Sequence, residues 1–66
     1  MTALSPSDRD MLLEKSARLR CMCDALWHDV MRRLGQPDYP ESMLEENKAR
    51  HHRWIEEARG MEARCQ

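Results

Sequence analysis

The chain has no phenylalanine, only two glycines, and three aromatic residues in all: Trp27, Tyr39 and Trp54. With so few large aromatics, 66 residues hold little with which to build a deep core. The glycines, Gly35 and Gly60, stand apart, so no glycine-rich loop exists to cradle a phosphate. No apolar run approaches the roughly 18 residues of a transmembrane helix. MTALSPSDRD lacks the basic and apolar regions of a secretory signal, and the expected location is the cytoplasm. The net charge of -1 disfavours electrostatic binding of nucleic acid by the molecule as a whole. Cys21, Cys23 and Cys65 are an odd number and, with no secretory signal, do not suggest a disulfide framework.

What is present is helix-forming. Hydrophobic residues make up 41% and charged residues 35% of the chain, too apolar for disorder and too charged for a membrane span. Ser5 can cap a helix that Pro6 begins, with Asp8 in its positive first turn. No Gly or Pro interrupts the segment 6–34; Gly35 then stops it and Pro37 prevents continuation. A turn over 35–39 leads to a second helix over about 40–64, which Gly60 weakens by roughly 1 kcal/mol relative to Ala. The expectation is an all-α fold: one domain over 1–66, an antiparallel two-helix hairpin that dimerises into a four-helix bundle.

At 100° per residue, Leu12, Leu19, Cys23, Leu26, Val30 and Leu34 form the centre of helix one's apolar band. Met11 and Met22 flank one side; Leu13, Trp27 and Met31 flank the other. The band spans roughly 200°, against a usual stripe of ~100°. Helix two carries a narrower face: Met43, Leu44, Trp54, Ile55, Ala58, Met61 and Cys65. One partner helix cannot cover helix one. Its surplus, Met11, Leu13, Met22, Trp27 and Met31, therefore marks a surface for a second copy or for a foreign helix.

Charge placement favours antiparallel packing, with Arg32 and Arg33 expected beside Glu41 and Glu45, and Asp8, Asp10 and Glu14 facing Arg59 and Arg64. Glu14–Arg18, Asp29–Arg33 and Glu46–Arg50 stand at four-residue spacing along each helix.

Few residues suggest chemistry. Asn47 and His51 interrupt helix two's apolar face one turn apart and are expected to fix register through hydrogen bonds. An antiparallel hairpin brings His51 near Cys23, and a two-fold dimer would then hold two Cys and two His, a possible zinc set. Cys21 lies about 160° round the helix from Cys23 and cannot join it. Asp24 and His28 read as a solvated pair, and no nucleophile–base arrangement with an oxyanion site is visible. No enzymatic activity and no cofactor are expected. The leading functional expectation is a small protein–protein interaction module, an adaptor, regulator or chaperone-like subunit. The alternative is a dimeric nucleic-acid-binding regulator using Arg18, Arg20, Arg32, Arg50 and Arg53.

With Gly35 closing one helix and Pro40-Glu41 opening the next, the hairpin resembles two groups of small proteins. One is the helical-hairpin RNA-binding regulators of plasmid copy number, which dimerise into four-helix bundles. The other is the hairpin co-chaperones of type III secretion needle subunits, whose two helices hold a larger chaperone. The resemblance covers the overall hairpin, rests on no diagnostic motif and assigns no functional residue.

Overall fold

Ser5 adopts an extended backbone and its hydroxyl accepts the Asp8 amide at 3.2 Å, so the first helix starts where the Ser-Pro-Ser-Asp run directs it. In the computed structural model, which describes residues 4–66, this helix, α1, spans Pro6–Arg33. Leu34 leaves helical geometry and Gly35 takes a φ of +85°, the left-handed conformation that costs a side-chain-bearing residue about 1–2 kcal/mol. The Gln36 amide donates to the Arg33 carbonyl and its side chain to that of Arg32, closing the helix end. The second helix, α2, spans Glu41–Arg64. Pro40 is its cap rather than its first turn, as Leu34 is the cap of α1, because both have extended φ/ψ. Pro40 offers no side-chain acceptor; its carbonyl instead accepts the Met43 and Leu44 amides.

The helices pack against each other as an antiparallel hairpin, and the described residues contain no strand. Two contacts mark the register. The Cys23 thiol donates to the His51 carbonyl at 3.9 Å, and the Cys65 thiol to the Arg9 carbonyl at 3.7 Å. Both pairs sum to 74, the register that places Ser16 opposite Ala58 and Val30 opposite Leu44. The seam follows alternating steps of three and four: Leu12, Ser16, Leu19, Cys23, Leu26 and Val30 on α1, and Leu44, Asn47, His51, Trp54, Ala58, Met61 and Cys65 on α2.

Side-chain size divides that seam. The buried members are small: Ser16, Cys23, Val30, Ala58 and Cys65. The larger Leu12, Leu19, Leu26, Trp54 and Met61 are only half-buried. Two helices enclose a line rather than a volume, so only short side chains on the line disappear from solvent. Ser16 stays there at little cost because its hydroxyl donates to the Leu13 carbonyl at 2.8 Å. Among the described residues no buried side-chain nitrogen or oxygen lacks a partner.

Two apolar residues fall elsewhere than their spacing suggests. Leu34 and Met43, expected on the packed faces, are 49% and 44% exposed. Leu34 lies past the last helical residue of α1, and Met43 sits one position to the side of the α2 seam. The hairpin is long and thin, 52 × 17 × 11 Å, with a radius of gyration of 15.5 Å against about 11 Å for a globular chain of this length.

Candidate protein-interaction surface

The surplus of α1 lies in the open. Met11, Leu13, Met22, Trp27 and Met31 are all exposed, joined by Leu34 and Met43. They divide between two flanks of the hairpin. Met11 and Met22 lie on one, separated by Lys15 and Arg18. Leu13, Trp27, Met31 and Leu34 lie on the other, with Trp27 and Met31 on adjacent helical turns and Leu34 just past the helix end. Trp27 is anchored there: its ring lies 5.0 Å from that of His51, tilted at 44°. That contact covers part of the indole and leaves 39% of the residue exposed.

The same flank carries the one ion pair between the helices among the described residues. Arg20 grips Glu62 with two hydrogen bonds of 2.7 Å, one to each carboxylate oxygen. The bidentate bond holds the Glu62 carboxyl below its ordinary range and pushes the Arg20 guanidinium up. Helix-end pairing was expected instead, and it does not form. Arg32 and Arg33 both turn to Asp29, at 3.4 and 3.3 Å, within their own helix. Arg59 reaches Glu56, and among the described residues Asp8, Asp10 and Glu14 make no ion pair across the seam. Partners three or four residues away on one helix need no precise interhelical spacing, and they win. The three expected pairs at four-residue spacing, Glu14–Arg18, Asp29–Arg33 and Glu46–Arg50, do form.

Asn47 and His51 are half-buried and contact different partners. The Asn47 amide donates to the Tyr39 hydroxyl at 3.0 Å, buckling the turn onto α2. His51 meets Cys23 through its backbone carbonyl while its ring lies on Trp27. Burial raises the Cys23 thiol pKa, with the Asp24 carboxylate adding to the rise, and this opposes the thiolate that a metal needs. Among the described residues no three His, Cys, Asp or Glu side chains gather to hold a metal.

The proposed nucleic-acid set is mostly engaged and does not share one face. Arg18, Arg20, Arg32 and Arg50 lie within 4 Å of Glu14, Glu62, Asp29 and Glu46, and only Arg53 has no such carboxylate among the described residues. Arg18 and Arg20, two residues apart, point to opposite flanks. An open hollow of about 370 Å³ beside the turn is lined by Asp29, Arg32, Arg33, Gln36, Asp38 and Tyr39. Two carboxylates balance its two guanidiniums, so it has no net attraction for an anion. Among the described residues no helix is long and apolar enough to cross a membrane. No protein family, curated protein or solved structure matches the chain.

Proposed function

We propose that the chain is a small protein–protein interaction module, an adaptor- or chaperone-like helical hairpin without catalytic activity. It completes its core with further helices, from a second copy or from a helical partner. The observation that carries this reading is the exposed apolar flank of α1: Leu13, Trp27, Met31 and Leu34 on one side of a hairpin whose seam buries only small side chains. Burial stabilises association by roughly 25 cal/mol per Å² before the costs of ordering and lost freedom, so a flank with a large ring is where binding energy concentrates.

The nucleic-acid reading is less favoured, because four of the five arginines lie within 4 Å of carboxylates that offset their attraction for phosphate. Analytical ultracentrifugation combined with Trp fluorescence tests the module reading. An assembled species, alone or with a helical partner, is expected to shift Trp27 emission to the blue. A stably folded monomer whose Trp27 is already dry at micromolar concentration would overturn it.

A further inference from the structure

The exposed flank is a second heptad-spaced ridge, and its residues complement themselves. Asp10, Leu13, Ala17, Arg20, Asp24, Trp27, Met31 and Leu34 follow one another at steps of three and four along α1, displaced roughly 100° from the α2 seam. That is close to the right angle between neighbouring helix contacts in a four-helix bundle. Read from either end, the ridge pairs about its own midpoint. In an antiparallel match the end pair sets Asp10 against Leu34, and the three inner pairs match: Leu13 falls opposite Met31, Ala17 opposite Trp27, and Arg20 opposite Asp24. Apolar meets apolar, the smallest ridge side chain meets the largest, and cation meets anion, each occurring twice.

From this we infer that a second copy of the chain covers the ridge, its α1 running antiparallel to the first across a two-fold axis between Arg20 and Asp24. This rests on the interaction-module reading and adds to it the partner, the face and the register. Three observations favour the second copy. Asp24 is exposed, makes no ion pair among the described residues, and stands one helical turn from Arg20 on the same ridge. In the dimer Asp24 of the second copy would add to the Arg20–Glu62 pair. The area also fits: the chain exposes 5299 Å², about 900 Å² more than a globular monomer of 7.9 kDa. A standard interface covers about 800 Å² per partner. Finally, the opposite flank offers no such match. An antiparallel pairing there sets Met11 against Asp29 and Met22 against Arg18.

Two measurements on the full chain test this. In a Cys21→Ser background, chains carrying Leu13→Cys and chains carrying Met31→Cys are mixed and mildly oxidised, and the disulfides are mapped by mass spectrometry. The expected product joins position 13 of one chain to position 31 of the other, and neither variant cross-links with itself. Separately, Asp24→Arg places like charges across the axis and is expected to weaken the dimer on the order of tenfold with unchanged helicity. A dimer that lacks the 13–31 disulfide, or that tolerates Asp24→Arg, overturns the register and leaves the module reading standing. A folded monomer at micromolar concentration overturns the second-copy inference, and it overturns the module reading as well only when its Trp27 is already dry.

Discussion

The seam between the helices and the outer ridge of α1 share one spacing and differ in what they hide from solvent. The seam buries Ser16, Cys23, Val30, Ala58 and Cys65, none larger than valine. The ridge exposes Leu13, Trp27, Met31 and Leu34. Short side chains let two helices approach but contribute little transfer free energy, and the larger seam residues Leu12, Leu19, Leu26, Trp54 and Met61 are only half-buried. The seam therefore specifies which helix lies where, and the ridge keeps large apolar side chains in contact with solvent. Stability of such a chain depends on its own concentration when the ridge is covered by another copy.

The sharpest way to break this division is a charge in the seam. Val30 is 1% exposed, so Val30→Asp buries a carboxylate without a partner, and a loss of about 3 kcal/mol or more is expected. Circular dichroism should show an unfolded chain; a cooperative melt would mean that the seam is not where stability is decided. Trp27→Ala acts on the other side. It is expected to cost roughly 2 kcal/mol of association. Sedimentation should show dissociation while helicity at high concentration persists, and a parallel fall in both signals would erase the distinction between seam and ridge. Gly60→Ala touches neither region. A methyl group there meets nothing within 4 Å and the residue is helical, so a gain of about 1 kcal/mol is expected in thermal melts at any concentration.

The smallest effect concerns the Arg20–Glu62 clasp, which is solvent-accessible and therefore screened by salt. Because the folded carboxyl titrates below its unfolded value, its contribution is complete above the ordinary range near 4.3 and is lost as pH falls through the lowered value. Wild type and Glu62→Gln should thus differ slightly in melting temperature at neutral pH and converge in acid. A difference that grows on acidification would contradict the assigned pairing.

Much of this arrangement was legible in the residues. The cap at Ser5, the stop at Gly35, the apolar band and the antiparallel approach of Cys23 to His51 follow from spacing and local backbone chemistry. So does the flank containing Leu13, Trp27 and Met31, because angular position on a helix is fixed by residue number. Ser16 was not legible. It is polar, and a count of apolar positions passes over it, although its hydroxyl satisfies itself on its own helix. The Arg20–Glu62 and Tyr39–Asn47 contacts were also hidden, since they depend on register and on the path of the turn rather than on periodicity. Leu34 and Met43 were misplaced because angle alone does not reveal where a helix stops or which side its partner leaves uncovered.

The three thiols experience different surroundings: Cys21 faces water, while Cys23 and Cys65 point into the packed line between the helices. An alkylating reagent should therefore modify one sulfur per intact molecule at once and the other two only as the hairpin opens. The chain carries its own gauge of opening, readable by mass without a label or an added dye.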